Sequence, residues 1–169
     1  MTARLNLSAA RRRATNVLRG ITLPSPWSLP DFIADVARAR GRPIMVEPAT
    51  MSRHAVRATA FWVAEPDLDL IVVDDTGSEL YQENAVLHEL AHILLGHQGL
   101  PLPRGHHDSE EPPRVSHRRH RPDQRELEAE TLAYAIWRAA GRARALTIAA
   151  REPNRLLTGA FENPGTATE

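Results

Sequence analysis

The chain has 169 residues, which is the size of one domain with a substantial hydrophobic core. Its 42% hydrophobic and 25% charged residues are typical of a soluble globular protein. There is no Cys, which excludes disulfides and thiolate ligands, so any transition metal must be held by His and carboxylates. The formal charge of zero argues against a dedicated nucleic-acid binder.

The distribution of charge and apolar residues says more about location and partners. No apolar run approaches the roughly 20 residues that span a bilayer, and the basic N-terminus lacks the apolar stretch of a secretory signal. We therefore predict a cytoplasmic protein without a membrane partner. Residues 1–60 hold ten Arg and only three acidic residues. We interpret these as solvated helix faces, with an acidic partner or nucleic acid as the alternative.

The first 50 residues predict two helices and a strand. Good helix formers with one apolar face extend over 3–19 and stop at Gly20, and a Pro-rich connector follows. Ser28 is placed to cap a second helix, which Gly41 ends. A short strand is predicted at 44–46, closed by Pro48.

The next segment changes to the pattern of a hairpin. Residues 58–63 and 70–73 are apolar, β-prone runs separated by a turn. Because the second run is continuously apolar, we expect it to be the central strand, or to be covered by a helix.

The stretch that organises the chain follows the hairpin, on a helix predicted over 79–95 with Ser78 as its cap and Gly96 just past its end. It contains the pattern His-Glu-x-x-His, with His88, Glu89 and His92. Two His four residues apart lie about 40° from each other on a helix, so both rings can reach one ion. Neutral imidazole is a natural zinc ligand, and Glu89 is placed to reach the water that the metal activates.

The remainder is predicted to be a flexible Pro- and His-rich loop at 99–123, a strong helix over 125–140 with helical character as far as Ala150, and a weakly ordered tail over 151–169. The acidic start of the strong helix suits the helix dipole.

Zinc in a hydrolytic site usually takes three protein ligands, and two residues compete for the third place. His97 lies one residue from the spacing of a metzincin, and on a continuing helix it would point about 140° away from His92. We therefore interpret His97 as a polar residue after the helix cap, or as a residue on the substrate side.

The favoured third ligand is Glu126, at the start of the last helix, in an order similar to that of gluzincins, the zinc peptidases with two His and one Glu. Glu130 lies on the same helix face, whereas Glu128 is about 200° away from Glu126. We expect Glu130 to receive the second N–H of a zinc-bound His.

Together, the two motifs resemble those of the ImmA/IrrE-type metallopeptidases, which are compact gluzincins. The run His88–His97 is similar to that family's His-Glu-Leu-Gly-His-Leu-Leu-Leu-Gly-His, and residues 126–133 are similar to its Glu-x-x-Ala-Asn-x-Phe-Ala. The likeness covers about residues 28–140. This chain departs from the pattern at Glu130 and Leu132, and Ala135–Arg138 replace the family's apolar ending.

The resemblance implies an α+β fold: a mostly helical zincin-like domain over 28–150, with a small three-stranded sheet packed on the active-site helix and residues 1–27 as an N-terminal helix and connector. It implies Zn²⁺ held by His88, His92 and Glu126, with Glu89 as the general base. It also implies cleavage of a protein substrate, a repressor-type helix-turn-helix regulator encoded nearby.

Two alternatives remain open. One is a zinc-containing regulatory module that sequesters a regulator without cleaving it, and the other is a protein in which both His are structural and hold no metal. If it is an enzyme, the strand near 60–63 is expected to offer an edge to an extended substrate. The oxyanion stabiliser has several candidates, namely His97, His106, His107, His117, His120 and Tyr134.

Overall fold

A computed structural model of the protein describes residues 5–50, 59–100 and 123–151, with side chains as far as Thr147. The α+β class is confirmed, since four helices accompany a three-stranded sheet in these ranges. In chain order the elements are α1 Leu7–Arg19, α2 Leu29–Arg40, β1 Ile44–Ala49, β2 Ala60–Ala64, β3 Asp69–Asp74, α3 Glu79–Leu94 and α4 Gln124–Arg151.

The ends of the first two helices lie where local capping predicts them. Gly20 caps the end of α1, and the Ser28 side chain accepts a hydrogen bond from the backbone N–H of Asp31 at the start of α2. Gly41 ends α2 in the left-handed conformation, with φ of 64°, which Gly adopts without steric cost. Both predicted helices are therefore confirmed, although the described part of α1 begins at Leu7 rather than at residue 3.

The sheet has the order β1-β3-β2, with β1 parallel and β2 antiparallel to β3. The prediction that the apolar run at 70–73 is the central strand is confirmed. The prediction that Pro48 closes the first strand is wrong, since β1 continues through Pro48 to Ala49. An edge strand tolerates Pro because only one of its sides is paired.

Three layers stack on this sheet: α3 packs against β2 and β3, α4 packs against α3, and α1 packs against α4. The fully buried side chains between them include Leu87, Leu90, Leu132 and Ile136. Each stabilises the fold by about 1.5–3 kcal/mol through burial. Ala14 of α1 belongs to the same core cluster, so the N-terminal helix shares the core of the helices that follow it.

Other predictions fall partly or wholly outside the described residues. The predicted loop at 99–123 is described only at its two ends, and the segment 152–169 is not described. The strong helix predicted over 125–140 and the helical character predicted as far as Ala150 form one element, since α4 runs through Gly141 without interruption to Arg151. Within the described ranges, no helix has both the length and the apolar character needed to cross a bilayer.

Candidate metal centre

The α3 helix carries the His-Glu-x-x-His pattern and is capped at both ends. Ser78 accepts a hydrogen bond from the backbone N–H of Tyr81 at its start. At its end, Gly96 has φ of 68°, and the backbone N–H groups of Gly96 and His97 donate to the carbonyls of Ile93 and His92 at 3.0 Å. These two bonds form a Schellman motif, which turns the chain back towards the helix it leaves.

The α4 helix begins at a carboxylate cap. One Asp123 oxygen accepts hydrogen bonds from the backbone N–H groups of Arg125 and Glu126, at 2.8 and 3.0 Å. This fixes Glu126 in the first turn of α4. Ala129, one turn further, is fully buried. Its small side chain lets α4 approach α3 closely.

Side chains from the two helices converge into one group that can hold a metal ion: His88, His92 and Glu126. The Nε2 atoms of the two His lie 3.1 Å apart. One Glu126 oxygen lies 3.4 Å from Nε2 of His88, and the other lies 3.7 Å from Nε2 of His92. The predicted ligands therefore come together.

The electrostatics of the group favour a carboxylate facing two imidazoles. The close imidazoles of His88 and His92 outweigh the burial of Glu126 and hold the pKa of its carboxyl far below its usual range. Burial opposes a charge on His88, but Glu126, Glu89 and Glu130 outweigh it and raise the pKa of that imidazole. The carboxylate of Glu126 is thus ionised at neutral pH, as a metal ligand must be.

Glu89 lies beside this group and differs from Glu126 in its environment. Burial raises the pKa of its carboxyl, against the opposing effect of His88 and His92. The backbone amide of Trp62 in β2 stabilises the ionised form. The two carboxylates have therefore been pushed in opposite directions, which is the usual sign of different roles in one site.

No protein-family model, curated protein or solved structure matches this chain.

His97 follows the cap of α3, as the first of its two interpretations predicts, but its ring does not point away from His92. The Schellman turn at Gly96 ends the helix and brings the His97 ring back against His92, with Nδ1 of the two rings 2.9 Å apart. The His97 side chain is only 5% exposed, so it does not face a substrate. Burial and the neighbouring His92 lower the pKa of His97, which favours its neutral form.

A chain of polar contacts continues behind His97. Its Nε2 lies 3.5 Å from a Glu128 oxygen, and Arg13 of α1 donates to the same carboxylate. Burial opposes ionisation of Glu128, but the hydrogen bond from Gln124 and the charge of Arg13 outweigh it and lower its pKa. Arg13 also donates to the carbonyl of Leu95 at 2.7 Å, which ties α1 to the end of α3.

This chain determines how His92 can present itself to a metal. When Nε2 of His92 is a ligand, its proton lies on Nδ1 and is donated to Nδ1 of His97. His97 then carries its own proton on Nε2, facing Glu128. The sequence predicts Glu130 as the acceptor of the second N–H of a zinc-bound His, without choosing between His88 and His92. Glu130 is exposed and acts on His88 through its charge, whereas the contact with His92 is made by His97. The sequence signal for this position of His97 was Gly96, because a Gly after a helix end favours the turn that reverses the chain.

The neighbouring edge of the sheet is partly occupied. The backbone N–H of Leu100 donates to the carbonyl of Trp62 at 3.0 Å, and its carbonyl accepts from Ala64 at 3.2 Å. Gly99 permits this approach, since a Cβ there would lie 2.9 Å from the Trp62 ring. The part of β2 from Trp62 to Ala64 is therefore closed to a substrate strand.

The candidates for an oxyanion stabiliser are reduced as well. His97 is excluded because its ring contacts His92. Tyr134 is kept as a candidate, since it is 58% exposed. The other four His of the original set lie in the segment 101–122, outside the described residues.

We expect His97→Ala to weaken metal binding by about 10–100-fold, because the residue that orients His92 is removed. Glu130→Gln should have a smaller effect, since it removes a charge near His88 and no contact to His92. Competition of each protein with a chromophoric zinc chelator measures both affinities. A larger loss in Glu130→Gln than in His97→Ala would return the supporting role to Glu130.

Proposed function

We propose that the protein is a zinc-dependent endopeptidase. The observation that carries the proposal is the convergence of two imidazole nitrogens and one ionised carboxylate from different helices, beside a second carboxylate of raised pKa. Two acids with opposite pKa shifts suit a site in which one binds a cation and the other moves a proton.

Zinc suits the spacing of these donors. Tetrahedral zinc with nitrogen and oxygen ligands at about 2.0–2.1 Å places neighbouring ligand atoms about 3.3 Å apart. The observed separations of 3.1, 3.4 and 3.7 Å are close to that value. Three protein ligands would leave a fourth position open, which is the arrangement of hydrolytic rather than structural zinc sites.

Zinc bound here would supply Lewis acidity, polarising a peptide carbonyl and lowering the pKa of a water towards ~7. Glu89 would accept the proton of the attacking water and return it to the leaving amine. Its raised pKa supports this role, because a base closer to neutrality both accepts and returns a proton readily. His97 and Glu128 would keep the His92 ring in the orientation that binding needs.

The proposed substrate is a repressor-type transcriptional regulator. This part of the proposal rests on the resemblance of residues 88–97 and 126–133 to the motifs of ImmA/IrrE-type metallopeptidases, whose members act on such regulators. It includes no direct binding to nucleic acid and no membrane partner.

The test is incubation of the zinc-loaded protein with helix-turn-helix regulators encoded next to its gene, followed by intact-mass spectrometry. We expect one defined cleavage, which a chelator blocks and added zinc restores. A stable complex without any cleavage would instead favour the module that sequesters a regulator. Cleavage that the chelator leaves unchanged would contradict the metal mechanism.

A further inference from the structure

A broad concave surface, formed by α1, α4 and α3, encloses a volume of about 1160 Å³. It adjoins the candidate metal-binding group, which consists of His88, His92 and Glu126. Its lining includes His88, which belongs to the metal-binding group, and Asn84 one turn before it. On α4 it includes Glu130, Tyr134 and Trp137, whose spacing of four and three residues places them on one helix face. His88 thus lies at the margin of this surface, so a polypeptide bound at the metal-binding group can extend onto it.

The charge of this surface is strongly one-sided. Four Arg line it, and each lacks a carboxylate partner in the described part of the chain: Arg11, Arg19, Arg138 and Arg142. Elsewhere in the described chain most Arg are paired, as in the pairs Arg13–Glu128 and Arg144–Glu83. Glu130 is the one carboxylate among the described lining residues. Four unpaired guanidinium groups thus face one surface beside the metal-binding group.

Exposed aromatic rings lie on the same surface. Tyr134 and Trp137 stack with their ring centroids 6.1 Å apart and their planes 20° from parallel. Tyr134 is 58% exposed and Trp137 is 36% exposed. The Arg138 guanidinium lies 5.8 Å from the centre of the Tyr134 ring. Large rigid aromatic side chains flanked by Arg provide apolar contact area and carboxylate-binding groups side by side.

We propose that this surface binds an acidic segment of the polypeptide substrate. Asp or Glu side chains of the substrate would pair with the four Arg, and an apolar side chain would lie on Tyr134 and Trp137. The inference rests on the proposed peptidase function, because it is the metal-binding group at the margin that makes a polypeptide the expected occupant. A polypeptide is favoured over nucleic acid because the chain has no net positive charge.

The experiment measures binding without requiring cleavage. Zinc-loaded Glu89→Gln protein is titrated into a short fluorescein-labelled peptide with a central Phe flanked by Glu, and into the same peptide with Gln in place of every Glu. We expect the acidic peptide to bind more tightly, by a margin that shrinks at high salt. Changing Arg11, Arg138 and Arg142 to Gln should weaken the binding of the acidic peptide by about tenfold. This is the loss expected when three exposed ion pairs are removed.

The matched control removes the same charge from other places. Arg12, Arg38 and Arg125 are exposed to solvent but do not line the concave surface. Changing all three to Gln should therefore leave the preference for the acidic peptide intact. Equal weakening in both triple variants would overturn the proposal, since overall charge would then explain the binding. Equal affinity for the two peptides would overturn it as well.

Two further outcomes would assign the surface to another occupant. Tighter binding of a single-stranded oligonucleotide than of the acidic peptide would assign it to nucleic acid. If peptide binds only after Asp108, Glu110 and Glu111 are changed to amides, the occupant is the chain's own acidic segment. Cleavage of peptides without any acidic preference would refute the surface alone, whereas acidic binding without cleavage by wild type would refute the peptidase alone.

Discussion

The Glu89→Gln protein is expected to bind zinc as the wild type does and to lose peptide hydrolysis by about 10²–10⁴-fold, the range of a general base. The amide keeps the size of the side chain but accepts no proton. Its neighbours His88 and His92 retain their own contact, with their Nε2 atoms 3.1 Å apart. The measurements are the zinc content of the purified protein and the rate of cleavage of the substrate identified by mass spectrometry.

Glu83→Gln is a suitable control for this change. Glu83 lies on the same helix and pairs with Arg144 and the Trp27 indole, away from the metal-binding group. We expect full hydrolysis from that variant if it is folded. Hydrolysis retained by Glu89→Gln at the wild-type rate would remove Glu89 from the mechanism and leave the metal-binding group without an assigned base.

Glu126→Ala is expected to lower zinc affinity by more than ~100-fold, which exceeds the usual loss when a supporting residue is changed. The two oxygens of Glu126 lie one near each His, at 3.4 and 3.7 Å from their Nε2 atoms. The two imidazoles from a single helix remain but lack the ligand from α4. Isothermal titration with zinc, under conditions where the protein is folded, measures the affinity.

Glu130→Ala is the matched control, since it makes the same substitution one turn further along the same helix. Zinc should raise the Tm of wild type and of Glu130→Ala, because a ligand at 100 times its Kd stabilises the folded state by about 2.7 kcal/mol. It should leave the Tm of Glu126→Ala nearly unchanged at the same concentration. If both variants lose zinc affinity equally, the assignment of Glu126 as the third zinc ligand is wrong.

The element boundaries that the sequence predicts correctly depend on residues close together in the chain. Ser28 and Ser78 cap helices because their side chains reach a backbone N–H three residues ahead. Gly41 and Gly96 end helices because only the left-handed conformation there completes the C-terminal hydrogen bonds. The two motif His are within reach of one ion because the helix repeats every 3.6 residues.

The order of the motifs along the chain predicts Glu126 as the third ligand. The packing of α4 against α3 brings Glu126 close to His88 and His92. Capping by Asp123 and the small Ala129 explain why that approach is possible. The shared helix face predicts that Glu130 lies near the group of Glu126, but the contact with His92 is made by His97. Helix periodicity identifies a face but not the partner that it meets.

The amino-acid sequence was therefore sufficient for the helices, the hairpin and the placement of His88 and His92 within reach of one ion, because caps and periodicity act over about one helical turn. Only the tertiary structure decided that Glu126 of α4 meets these two His and which groups support them. The contacts of His97 with His92, Glu128 and Arg13 require the ends of α1, α3 and α4 to meet, and the pairing of Leu100 with β2 requires a turn beyond α3. Such contacts depend on how separate elements pack, which no local pattern encodes.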